Sequence, residues 1–370
     1  VGDRALVSNT TGASNVAIGK AALNANTTAS NSTAVGRDAL VANTTGAENT
    51  AVGKSAMAAN TTGNYNVALG VVAMATNTTG DNNTALGYNS LRYNTTADNN
   101  TALGGYALQD NTTGEQNVAV GGYALTNNTT GTNVAVGYLA LEDNTTGTRN
   151  IAIGTEALKN NTTANDNVAI SKDAMGANTT GAASTAVGKG ALGANTTGSK
   201  NNAFGVNALE ANTTGTENVA IGKDALQSNT TGSYCTAVGM DSLKSNGAGT
   251  DGKYNTAIGW QSMRLNTSGE SNTAVGLESL ESNTTANYNT AVGRQALQAN
   301  TTGTTNVALG AQALKANTTA DSNTALGYDA MLANTTGVAN TAVGRQALTA
   351  NTTGDRNTGI GTLSLSSTTT

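Results

Sequence analysis

The sequence predicts an all-β fold: a parallel β-solenoid, or β-roll, of about 21 coils with a 17-residue repeat, rod-shaped. Three observations predict it. A fixed period fills the whole chain, one alternating apolar stretch recurs in every copy, and no copy carries enough apolar surface to fold alone.

The period is counted from the Asn of "NTT". Starts fall at Asn9, Asn26, Asn43, Asn60, Asn77, Asn94, Asn111 and Asn128, all 17 apart. A step of 16 reaches Asn144, and regular steps run through Asn161, Asn178, Asn195, Asn212, Asn229 and Asn246. A step of 20 reaches Asn266, followed by Asn283, Asn300, Asn317, Asn334 and Asn351, which makes 21 starts. Residues 1–370 therefore read as one continuous array with irregular coils near 128–144 and 246–266, and no separate domain.

The consensus is N-T-T-G-x-x-N-T/V-A-V/I/L-G-x-x-A-L-x-x, with its positions counted from 1 to 17. "NTTG" suits a turn, because Asn tolerates the left-handed region and Gly enters it at little cost. Five coils carry Ala at position 4 (Ala29, Ala97, Ala164, Ala286, Ala320), so that corner does not require a positive φ. Position 7 is Asn except at Ser32, Ser184 and Cys235, and stacking would align it into an internal Asn ladder. Positions 8 to 11 alternate as a strand does. The expectation is that the branched residues at positions 8 and 10 fill a core. The Ala at position 9 and the Gly at position 11 then leave room for another backbone or sheet. Position 15, Leu or Met throughout, supplies the second large apolar group. Positions 5, 6, 12, 13, 16 and 17 hold nearly all charges and most tyrosines and are expected to face solvent. The coil is expected to be all strand, the alternative being a strand plus one helical turn over positions 12 to 17, which segments such as "GRQALQAN" admit; a full helix is excluded by the recurring Gly and "NTT".

Burying one Val and one Leu is worth on the order of 3–6 kcal/mol. Ordering 17 backbone units costs about 1–2 kcal/mol each. A coil is therefore stable only when stacked, and 21 coils at about 4.8 Å would span roughly 100 Å.

Composition agrees with a thin core. The chain has no Pro or His, one Phe and one Trp, and its 37% hydrophobic residues are mostly small. A net charge of −5, spread singly over 18 basic and 23 acidic residues, offers no basic patch for nucleic acid. No apolar run approaches the roughly 20 residues of a membrane helix. Without His, and with carboxylates confined to variable positions, catalysis is not expected, and no cofactor site is apparent.

"SNVAIGKAAL" (14–23), "ENVAIGKDAL" (217–226) and "RNIAIGTEAL" (149–158) resemble the head repeats of YadA-like trimeric autotransporter adhesins. The longer form with "ALxxNTTG" is similar to repeats of bacterial and phage tail-fibre-like proteins. The resemblance implies a left-handed parallel β-roll, a homo-oligomer such as a trimer, and surface adhesion. This chain departs from the family, whose coil is shorter and whose neck and stalk elements are missing from this sequence. The expected function is a structural or adhesive extracellular fibre segment that self-associates; the alternative is an ice-binding or carbohydrate-binding solenoid module. The sequence ends supply no cap, which suggests an excerpt of a longer chain or end-to-end polymerisation.

Several motifs invite chemistry. Twenty "NTT" or "NTS" starts match the N-glycosylation acceptor: Asn9, Asn26, Asn43, Asn60, Asn77, Asn94, Asn111, Asn128, Asn144, Asn161, Asn178, Asn195, Asn212, Asn229, Asn266, Asn283, Asn300, Asn317, Asn334 and Asn351. Two readings stand, a glycan-decorated edge or turn residues copied with the repeat. Stacked threonines of the same triplet suggest an ice-binding row, though turn positions are seldom flat. "NGAGTDGKYN" (246–255) reads as a surface bulge, since Asp251 alone falls short of a calcium site and no metal site is expected. "VGKSAM" (52–57) lacks the first Gly of a phosphate loop, with Glu48 in its place. Cys235 reads as a buried small residue. Trp260 and the tyrosines read as scattered surface aromatics or as carbohydrate-stacking rings.

Overall fold

The computed structural model describes residues 2–247, 252–367 and 369, and it is a parallel β-solenoid. Two compact units divide the chain, Val1–Ala182 and Ala183–Thr370. The first holds ten strands, from β1 (Val16–Ile18) to β10 (Val168–Ile170). The second holds eleven, from β11 (Thr185–Val187) to β21 (Thr358–Ile360). Within each unit every strand pairs in parallel and in register with the next, so Val16 faces Thr33 and Ala17 faces Ala34. The longer coil keeps this register, with Thr236 paired to Thr256. The surface bulge expected at 246–255 lies in part outside the described residues, Asp251 included.

Each coil has one three-residue strand, at positions 8 to 10, and turns elsewhere; no helix occurs among the described residues. Neither an all-strand coil nor a helical turn is what forms. Positions 12 to 17 run as consecutive tight turns instead. Ala22 N donates to Gly19 O at 3.3 Å and Asn24 N to Ala21 O at 3.3 Å. Their third residues, Ala21 (φ 57°) and Leu23 (φ 50°), lie in the left-handed region, which is the type II turn signature. Position 6 is left-handed too, as at Ser14 (φ 58°). The "NTTG" corner is not.

Position 11 does need to be glycine. At Gly19 φ is 125°, and a Cβ there would sit 2.6 Å from Gly36 O. The exception, Ser171, holds φ 117°, a region costly for a residue with a side chain.

The two faces of the strand are the reverse of the sequence expectation. Ala at position 9 is buried in every coil that has it, whereas positions 8 and 10 point outward: Ile18 is 50% exposed and Leu69 45%. The interior is too narrow for branched strand residues. In all but the terminal coils it is already filled by Leu or Met at position 15, the small residue at position 14, the Asn at position 1 and the Asn, Ser or Cys at position 7. Only a methyl group fits between them.

The interior asparagines supply the polar half of the core. Asn49 Oδ1 accepts the backbone N–H of Asn66 at 3.0 Å, and its Nδ2 donates to Gly63 O at 2.7 Å. Position 7 thus forms the expected ladder, side chain to backbone, tying each strand to the next coil's corner. Ser32 keeps the acceptor role toward Asn49 N at 3.3 Å. A second ladder, unforeseen from sequence, runs side chain to side chain through position 1: Asn60 Nδ2 donates to Asn43 Oδ1 at 2.9 Å, and Asn77 Nδ2 to Asn60 Oδ1 at 2.8 Å.

Candidate functional site

That second ladder consumes the sequons. From Asn26 to Asn351 each sequon Asn is 0% exposed, and Asn9 is half-buried. Each amide nitrogen with a described geometry also donates to the position-4 carbonyl of its own coil, as Asn60 does to Gly63 O at 3.0 Å. A glycan on Nδ2 would replace one of these hydrogens, and from Asn26 to Asn351 the buried amide leaves no space for it in the folded coil. Position-2 threonines are likewise engaged: Thr44 Oγ1 donates to Thr61 O at 3.1 Å. Position 3 stays exposed in nearly every coil.

The other surface that repeats from coil to coil is the outer strand face. Position 10 is Val, Ile or Leu in every coil but one, where Phe204 stands 41% exposed. Position 8 contributes Thr in twelve coils, Val in seven, Ile151 and Asn202. In-register pairing turns these into two columns, one partly hydroxylated and one aliphatic, along each unit.

The margins of this face carry the irregular features. One margin, before the strand, is broken at the 16-residue step. There Thr132 alone stands where other coils have positions 5 and 6. Pairing survives, with Val118 opposite Val134 and Val134 opposite Ile151. The corner gives way instead. Asn117 Nδ2 turns from the next coil's corner to Asn100 Oδ1 at 3.1 Å, and Thr132 Oγ1 donates to Glu115 O at 3.0 Å. The position-6 column loses one side chain between Gln116 and Arg149, leaving a cavity of about 250 Å³ lined by Gln116, Thr132, Val134, Arg149 and Ile151 together with Asn133 and Asn150.

Arg149 is held at the rim by a bidentate pair with Asp166, Nε to Oδ1 at 2.6 Å and Nη2 to Oδ2 at 2.9 Å. The hydrogen bond raises the guanidinium above its ordinary pKa and holds the Asp166 carboxyl below its own. Both groups are solvent-exposed, so the pair orients Arg149 more than it stabilises the fold.

On the opposite margin, after the strand, the tyrosines are not scattered. Tyr88, Tyr106, Tyr123 and Tyr138 come from four successive coils. Their centroids are 5.4, 4.8 and 6.1 Å apart, with the middle pair stacked and the outer contacts edge-on. The signal was present in the sequence, since Tyr occupies position 12 or 13 in four consecutive coils. In the second unit a stacked pair, Tyr234 and Tyr254 at 5.3 Å, lies before the strand instead, in the position-6 column.

Cys235 is buried, as expected. Its Sγ donates to Gly252 O at 3.3 Å, and burial pushes the thiol up to about 11. Among the described residues no group of three or more His, Cys, Asp or Glu is placed to hold a metal ion, and no helix is long and apolar enough to cross a membrane. Comparison with protein-family models finds no match, and comparison with curated proteins finds none either.

Proposed function

We propose that the chain is a segment of a structural or adhesive extracellular fibre whose copies associate side by side through the outer strand face. The observation that carries this reading is the unbroken aliphatic column at position 10 in the first unit, exposed at Ile18, Leu69, Leu86, Ile153 and Ile170 and half-buried at the valines and Leu103 between them, although such residues are good core formers. The first unit's ten strands, about 4.8 Å apart and about 10 Å wide, make a face on the order of 500 Å². A patch of roughly 300–600 Å² is the largest an ordinary monomer shows and is often functional. The resemblance to YadA-like heads supports an adhesive surface role for the assembled fibre. Glycan at the sequons is not part of the proposal, because the acceptor nitrogens are buried in hydrogen bonds.

Sedimentation of the chain at micromolar concentrations tests the proposal. Association is expected, and Val120→Lys with Ile153→Lys should abolish it while leaving the circular dichroism unchanged. A wild-type chain that stays monomeric at tens of micromolar would defeat the reading. One observation favours a second reading, ice binding. Thr236, Thr256, Thr273 and Thr290 form an outward hydroxyl row beside Val238, Ile258, Val275 and Val292 in the second unit. Thermal hysteresis by the monomer would select that reading.

A further inference from the structure

The outer strand face repeats at every coil, so two copies could slide by one coil and meet nearly the same surface. Such a face supplies attraction without register. It is also small: roughly 500 Å² falls short of the about 800 Å² per partner of a stable interface. Both deficits have to be met at the margins, and in the first unit the margins of one coil carry complementary features. Before its strand, that coil has the cavity at Thr132. After the same strand, it has Tyr138, 53% exposed and at the end of the tyrosine row. The following coil places Thr155 and Glu156 there, so no ring continues beyond it.

We propose that the cavity is a register site for a second copy of this chain, filled by the Tyr138 ring of the neighbour. This rests on the self-association proposed above. Copies lying parallel and level, with strand faces turned toward a shared axis, bring the margin after one strand against the margin before the next copy's strand. The contact is heterologous and closes into a ring. At this level the neighbour's tyrosine meets a missing side chain.

Size and chemistry fit. An enclosed cavity of roughly 150 Å³ takes a benzene ring, and this one, open to solvent on its outer side, offers about 250 Å³. Val134 and Ile151 give the ring an apolar floor. The Gln116 amide and the Arg149 guanidinium, oriented by Asp166, stand at the rim where a phenol hydroxyl would need partners. Tyrosine suits such a place, with one apolar end and one polar end. Sliding by one coil would place the ring against an intact position-6 side chain instead.

The test uses the full chain with Cys235→Ala, carrying Thr132→Cys and Leu139→Cys, which leaves the Tyr138 ring in place. These positions flank a strand within one chain, too far apart for a disulfide. Oxidation is expected to bridge the two introduced thiols between chains, shown by mixing isotopically light and heavy protein. Separately, Tyr138→Ala should weaken association at least tenfold, whereas Tyr88→Ala, at the far end of the row, should leave it within twofold. Insertion of one Asn after Thr132, which refills the corner, should act like Tyr138→Ala. Wild-type association with no such bridge, or with Tyr138→Ala and Tyr88→Ala behaving alike, overturns the register site and leaves the fibre reading standing. A monomeric wild type overturns both, as does a monomer whose tyrosine fluorescence is quenched by an oligosaccharide.

Discussion

Removing one rung of the position-1 ladder probes the fold most directly. Asn60 is 0% exposed and its side chain takes part in three hydrogen bonds: Nδ2 donates to Asn43 Oδ1 and Gly63 O, and Oδ1 accepts from Asn77 Nδ2. Asn60→Ala removes all three. Gly63 O keeps Asn49 Nδ2 at 2.7 Å, and Asn77 Nδ2 keeps Gly80 O at 3.0 Å. Asn43 Oδ1 is left buried without its donor. At about 1–3 kcal/mol for that orphaned oxygen and about 0.5–1.5 kcal/mol for each of the other two bonds, the expected loss is roughly 2–6 kcal/mol.

Asn60→Asp should be worse at neutral pH. A carboxylate oxygen would then replace the donor and face two other oxygens, and burial without donors there raises the folded-state pKa above that of the unfolded chain. A raised carboxyl pKa favours the folded state at low pH, where both states are protonated, and costs stability as pH rises through the unfolded and then the folded value. The carboxylic acid can also restore a donor. The Asp variant should therefore recover relative to Ala as pH is lowered from about 7 toward about 4, across the ordinary carboxyl range. The readouts are urea midpoints and local hydrogen exchange around residues 43–80. If Asn60→Ala lies within about 0.5 kcal/mol of wild type, below the worth of a single hydrogen bond, the ladder does not hold the coil together as argued. A constant difference between Asp and Ala at every pH would refute it equally.

Three further outcomes are expected. Ser171→Gly should stabilise the first unit by about 1 kcal/mol, because φ 117° is strained for serine; an unchanged or lower midpoint would mean the strain is relieved elsewhere. Cys235 should resist thiol reagents at about pH 8 until the chain is unfolded, because burial raises the thiol to about 11; rapid native-state labelling would contradict its placement. Chain secreted through a glycosylating pathway should divide into two populations. Protease-resistant folded protein should have the unmodified mass of 36.6 kDa, and sequon-modified chains should be protease-sensitive; folded protein carrying sugar at Asn60 or Asn111 would refute the buried ladder.

The repeat, the solenoid class, the burial of position 15 and the ladder at position 7 were all legible in the sequence. Each follows from periodicity, because identical residues one period apart must meet once coils stack. What periodicity leaves open is which side of the strand is inside. Alternation says that the Ala at position 9 opposes the branched residues at positions 8 and 10, and either assignment satisfies it. Only the closed coil decides. It fixes an interior width that the Leu at position 15, the Ala at position 14 and two asparagines nearly fill, so a methyl group goes in and the branched residues go out. The same closure draws the sequon asparagines inward, where a local motif had suggested exposure. It also lets one deleted residue become a cavity at Thr132, because the strand register is held on both sides and only the corner is free to give way.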